Sequence, residues 1–92
     1  MTTAPGTVGT DSVRAIEAIV LVAVEPVASE QLAQLLELPV VTIDELCARL
    51  AATYAEAGHG FELVRVAGGW RYQTHAELSP YVERFQIGRA HV

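Results

Sequence analysis

Lysine is absent from this 92-residue chain: its six basic residues are all arginine, set against eleven acids for a net charge of −5. Duplex DNA presents about one negative charge per 1.7 Å of axis and is normally met by clustered lysine and arginine. The chain lacks that footprint overall, which argues against a DNA reader. Cysteine occurs once, as Cys47, so no disulfide framework can form within the chain, in keeping with a reducing cytosol. The start, MTTAPGTVGT, has neither a basic segment nor an apolar one and is not expected to be a signal peptide. The longest near-apolar run, Ala18 to Val24, is far shorter than the roughly 20 residues of a membrane helix. No GxGxxG, P-loop or GxSxG pattern is present, so the common phosphate cradles and the nucleophile elbow are missing too.

What the chain has in excess is apolar residues, at 51%, with a mean hydropathy of +0.30. A single domain of this length buries about 60–65% of its unfolded surface. One reading is that some apolar surface serves a partner, since large exposed apolar patches are unusual on monomers; the other is a composition merely rich in alanine and valine, where alanine adds little core.

The organising stretch is residues 28 to 57, read as two helices joined by a tight turn. The first spans Glu30 to Glu37 with Ser29 as N-cap and offers Leu32, Leu35 and Leu36 to a core. Pro39 breaks the connection. The second spans Ile43 to Ala57, with a capping box of Thr42 and Glu45 and a staple of Val41 on Leu46. Its stripe is Ile43, Leu46, Cys47, Leu50, Ala51 and Tyr54, and Gly58 and Gly60 stop it. Ahead of this pair, residues 1–10 are expected to be a disordered tail, followed by a helix over Val13 to Val24. That helix is apolar nearly all round in its second half, which makes it a candidate subunit interface; the alternative is cover from the C-terminal helix. Glu25-Pro26 ends it.

After the pair come a strand, Phe61 to Val66, a turn at Ala67-Gly68-Gly69, and a returning strand, Trp70 to Thr74. The register expected sets Arg65 opposite Tyr72 and Leu63 opposite Thr74. Phe61, Leu63, Arg65, Trp70 and Tyr72 then share one face, and Val64, Val66, Arg71 and Gln73 the other, so both faces are expected to pack. Ser79 caps a short last helix with Pro80 in its first turn and Tyr81, Val82 and Phe85 on its apolar side. The order ααα-ββ-α is that of an α+β winged helix, a helix-turn-helix with a two-stranded wing.

Catalytic readings are weak. Cys47 lies on an apolar stripe and reads as a core thiol, not a nucleophile. His59, His75 and His91 match no compact ligand spacing, so no metal or cofactor is expected. Asp44 and Glu45 are adjacent on a helix, point apart, and suit its positive N-terminal end. The same two carboxylates stand where a helix-turn-helix would read bases, leaving Arg49 as that helix's one base; Arg65 and Arg71 are on the wing.

AIEAIVLVAVEPVASEQLAQLLELP, GFELVRVAGGWRYQT and ELSPYVERF together resemble the N-terminal domain of the segregation and condensation protein B family, over about residues 12 to 86. The most specific portions are the apolar helix running into Glu-Pro-Val and Val-Ala-Gly-Gly-Trp-Arg in the wing. The resemblance implies two winged-helix domains per protein and homodimers formed through the N-terminal ones. It also implies binding to the kleisin subunit, segregation and condensation protein A, and through it to the head domains of the SMC ATPase. Such a protein is a cytoplasmic, nucleoid-associated, non-enzymatic subunit acting in chromosome condensation and segregation. It has no cofactor, no membrane and no sequence-specific nucleic acid of its own. Here only the first winged helix, 11–86, is present. IGRAHV, residues 87–92, resembles translated library adapter and is expected to be non-native. The residues expected to meet a partner are Ile19 and Val22 on the first helix and Arg65, Trp70, Arg71 and Tyr72 on the wing. A winged-helix transcription regulator is the alternative, and a generic protein adaptor the third reading.

Overall fold

A computed structural model describes residues 5–90. Three helices come first: α1 (Pro5–Val22), α2 (Ser29–Leu36) and α3 (Val40–Ala57). Strands β1 (Phe61–Val66) and β2 (Gly69–Thr74) form an antiparallel hairpin; a 3-10 turn (Ala76–Leu78) then leads into α4 (Ser79–Ala90). This is the winged helix that the sequence implied.

Of the tail expected over residues 1–10, the part from Pro5 on is helical, since α1 reaches back to Pro5; residues 1–4 lie outside the described residues. Proline costs nothing in a first helical turn, where its missing N–H would have no partner. Once the helix is nucleated by its packed half, each added residue extends it cheaply. At its other end α1 stops at Val22, two residues early. The Ala23 N–H still bonds to the Ile19 carbonyl at 3.1 Å, and Val24 is fully exposed.

Both expected side-chain caps are absent. Ala28 is the N-cap of α2 and Pro39 that of α3, neither with a side-chain hydrogen bond. Pro39, at φ −61°, supplies the carbonyl that Ile43 N–H reaches at 3.1 Å, so the helix begins three residues ahead of Ile43. That places Val41 and Thr42 inside the first turn, where they form neither staple nor capping box, and Val41 is exposed. The C-caps follow local chemistry: Gly58 ends α3 in the left-handed conformation at φ 71°, and Glu37 ends α2 at φ 56°. Ser79 is already helical, and His75 caps the 3-10 turn ahead of it.

The core gathers Ile16 and Val20 of α1, Leu32 of α2, Ile43, Cys47, Leu50 and Tyr54 of α3, and Leu63 and Trp70 of the wing. Leu46 and Ala51 pack partly against it. Leu35 was expected there but is 59% exposed. In an eight-residue helix, Leu32 and Leu36 fill the inward stripe one turn apart, which turns Leu35 aside.

The wing's register differs from the expected one by two residues: Arg65 pairs with Trp70, Leu63 with Tyr72, and Val66 with Gly69, leaving Ala67-Gly68 as the loop. A shift of two preserves the faces, because side chains alternate with period two. Leu63 and Trp70 point into the core as expected. The other face is largely solvated: Val64 and Val66 are half-buried, whereas Arg71 bonds to Gln73 (3.2 Å) and Gln73 to Glu62 (3.1 Å) in the open.

The wing is tied to the body by backbone. Val27 N–H donates to the Trp70 carbonyl and Trp70 N–H to the Val27 carbonyl, both at 2.9 Å. This bridge fixes the connection between α1 and α2 as a short third strand.

Candidate interaction surface around helix α1 and the wing

Two polar nodes determine which side chains of the wing and of α3 remain free. At the first, Ser29 is buried at the start of α2. Its hydroxyl donates to Asp44 Oδ1 and accepts from Trp70 Nε1 at 3.1 Å. Arg65 Nη1 stands 3.3 Å from the same Asp44 oxygen, and the guanidinium lies 5.4 Å from the Trp70 ring centroid. Ser29 as an internal node, and not an N-cap, escaped the sequence reading; only its pairing with a distant Trp could have signalled it. The Ser29 hydroxyl above all, and then Arg65, holds the Asp44 carboxyl below its usual 3.8, against the opposing effect of burial. Asp44 therefore stabilises the fold above pH 3.8, and that contribution is lost as pH falls through its lower folded value. Asp44→Asn is expected to be less stable than the parent at pH 7, with the gap closing in acid. Urea midpoints across pH 2–7 check this, and a gap that does not change with pH would refute it.

This node consumes the end of α3 that a DNA reader would use. Asp44 faces inward on Ser29 and Arg65, while Val40, Val41 and Glu45 are exposed there. Apolar and acidic groups offer phosphates nothing to bind.

The second node joins α1, α3 and the wing. Tyr54 O–H bonds to Glu17 Oε2, and the Tyr54 and Tyr72 hydroxyls lie 2.8 Å apart. Burial first, and then the Glu17 bond, raises the Tyr54 phenol; burial also raises that of Tyr72. Both stay neutral and serve as fixed parts of a wall. Phe61 packs on them with centroids 5.1 Å from Tyr54 and 5.8 Å from Tyr72, and His59 stacks on Phe61 at 5.2 Å. The rings of Tyr54, Phe61 and Tyr72 and the Arg14, Glu17, Ala18 and Leu21 side of α1 line an open groove of ≈ 520 Å³. Leu21, on its rim, is 73% exposed.

The residues expected to meet a partner fall into different places. Val22 is 79% exposed on α1, whereas Ile19 is half-buried against the core. Arg71 is exposed on the solvated face of the wing and bonded to Gln73, Arg65 is ion-paired but more than half exposed, and Tyr72 lines the groove. Trp70 is only 6% exposed and cannot present its ring to a partner, because the bridge to Val27 and the bond to Ser29 turn it inward. Tyr54, Phe61 and Leu21 were the members missed. The exposed half-turn of α1 remains uncovered by the C-terminal helix: Tyr81 and Phe85 of α4 are themselves 68% and 65% exposed.

Cys47 is fully buried, and burial above all, with Asp44 nearby, pushes its thiol up to about 11. His75 Nδ1 accepts the Glu77 N–H at 3.2 Å, and His91 lies outside the described residues. Among the described residues no group of His, Cys, Asp and Glu is placed to hold a metal ion, and no helix is long and apolar enough to cross a membrane.

Comparison with known proteins places this geometry in context. The family model for the segregation and condensation complex subunit ScpB matches residues 14–90. Segregation and condensation protein B of Desulforamulus reducens is 37% identical over 70 residues, 76% of this chain and 39% of that protein. That of Moorella thermoacetica is 36% identical over 74 residues, 79% of this chain and 38% of that protein. The chain thus spans well under half the length of these relatives. The crystal structure of ScpB from Mycobacterium tuberculosis superposes with a TM-score of 0.85 at 30% identity, covering 89% of this chain and 51% of that one. A dimer of the ScpB N-terminal domain complexed with ScpA peptide shares the fold, with a TM-score of 0.73 at 22% identity over 79% of this chain and 88% of that one.

Proposed function

The chain belongs to the ScpB family of segregation and condensation complex subunits, and on that premise we propose that it is a non-catalytic, dimerising subunit of an SMC–kleisin complex acting in chromosome condensation and segregation. Its partners are a second copy of itself, the kleisin subunit and, through the kleisin, the SMC ATPase heads. Its place is the cytoplasm, on the nucleoid. The observation that carries this reading is the family match over residues 14–90, joined to an uncovered apolar surface on α1 beside the wing. The buried, raised thiol of Cys47 supports the non-catalytic part. Self-association uses the outer face of α1 and the wing.

Sedimentation equilibrium tests this directly. The full chain is expected to be dimeric at micromolar concentration, and Val22→Glu is expected to weaken the dimer by setting a charge in an apolar contact. A chain that stays monomeric at high micromolar concentration would overturn the dimerising reading. Co-purification with the kleisin of a matched genome tests the partner. The rival reading, a DNA-binding regulator, requires salt-dependent duplex binding in an anisotropy titration. The inward turn of Asp44 and the exposed Val40, Val41 and Glu45 at the start of α3 count against it.

A further inference from the structure

Helix α1 has a second apolar flank. Ile19 and Ala23 follow Glu17 and Leu21 by two residues, about 200° round the helix, and so face away from the groove beside the wing. There, between the end of α1 and α2, lies an open crevice of ≈ 560 Å³, lined by Ile19, Val22, Val24, Pro26 and Gln31 and by the carboxylate residue Glu25. It shares no residue with the groove. Its rim is held at both ends: the Ala23 N–H bonds to the Ile19 carbonyl, and Val27 is paired with Trp70. Val24, fully exposed on that rim, and Leu35, one turn beyond Gln31 along α2, extend the apolar surface. We propose that this crevice docks a cationic amphipathic segment of a protein partner, which seats a large apolar side chain between α1 and α2 and sets flanking lysine or arginine on Glu25 and Glu30. This docking is separate from self-association and holds whether or not the chain dimerises.

Charge selects this occupant. Residues 15–48 hold six carboxylates and not one basic residue. Glu17 and Asp44 are engaged inside the fold, the first on Tyr54 and the second on Ser29 and Arg65. Glu25, Glu30, Glu37 and Glu45 are exposed and form no ion pair among the described residues. Two of these four stand at the crevice: Glu25 in its lining, and Glu30 beside Gln31 in the first turn of α2. The neighbourhood is thus apolar and anionic together. It repels DNA and anionic lipid, an uncharged apolar segment would leave its carboxylates without partners, and a second copy brings a net charge of −5. An apolar segment that carries its own cations answers both halves. Burial of the anchor supplies affinity, and ion pairs at the rim supply orientation and speed of encounter. A helix recognised in this way presents its apolar anchors three or four residues apart.

The probe is a fluorescein-labelled helical peptide with leucines four residues apart among lysines; its twin has glutamate at every lysine. In anisotropy titrations against the full chain, the lysine peptide is expected to bind, more weakly as salt rises, and the twin to bind about 100-fold less tightly or not at all. E25R/E30R and, separately, V24D are each expected to weaken the lysine peptide about tenfold or more. Their circular dichroism is expected to match the parent, since all three side chains are exposed. E56R/E77R, a control outside the crevice lining, is expected to change binding by less than about twofold. Equal binding of the two peptides, or binding of neither, overturns the docking site. So does a loss in E56R/E77R as large as that in E25R/E30R, which would mean diffuse attraction to an acidic chain. E25R/E30R that keeps the peptide bound but raises the dimer dissociation constant in sedimentation assigns the crevice to a second copy and likewise overturns the proposal.

Discussion

Gly69→Ala is expected to cost the domain ~3 kcal/mol or more and to lower Tm by roughly 12 °C or more, or to leave the chain unfolded. A Cβ on Gly69 would fall 2.1 Å from the Val27 carbonyl oxygen and 2.4 Å from its carbon. Both are backbone atoms held by the paired bonds between Val27 and Trp70, so no side chain can swing aside to relieve the overlap. The backbone at φ 137° adds strain that only glycine escapes. Gly68→Ala, at φ 96° with its nearest neighbour, the Pro26 Cβ, 4.0 Å away, bears conformational strain alone and is expected to lose less. Thermal unfolding followed by circular dichroism ranks the two. A Gly69→Ala chain melting within a few degrees of the parent would mean that the wing does not need its bridge to Val27.

Trp70→Ala is expected to destabilise by ~3–5 kcal/mol, the usual cost of emptying a buried aromatic site. Its indole packs among the core residues, and its N–H satisfies Ser29. Trp70→Phe keeps most of the volume and loses that bond, for an expected cost of about 1–2 kcal/mol. Urea denaturation separates the two effects. If Trp70 met a partner instead, Trp70→Ala would leave the urea midpoint in place and change only self-association.

These two residues show where reading the sequence stops. The pair of glycines was legible as a turn, yet Gly69 is required for a reason outside the turn, the approach of Val27 from 42 residues earlier in the chain. The tryptophan was legible as an aromatic on the same wing face as Leu63, and that face does point inward. What the alternation could not say was that the indole N–H would find Ser29, 41 residues away, and so hold the ring inside. The groove was legible in half: Tyr72 and the outer side of α1 were expected to be working surface, but Tyr54 and Phe61 join them only because the Glu17–Tyr54–Tyr72 bonds fix the angle between α3, α1 and the wing.

The sequence by itself determined the order of elements, the inward stripe of α3, the break at Pro39, the glycine stop at 58 and the two faces of the wing. Each of these rests on periodicity or on a backbone preference that acts within one turn of the chain. The tertiary structure alone decided the hairpin register, the loss of the Ser29 and Thr42 caps, the outward turn of Leu35 and the inward turn of Asp44. The loss of the Ser29 cap and the inward turn of Asp44 depend on hydrogen bonds between segments 15 or more residues apart, where a distant partner outweighs the modest free energy of a local cap.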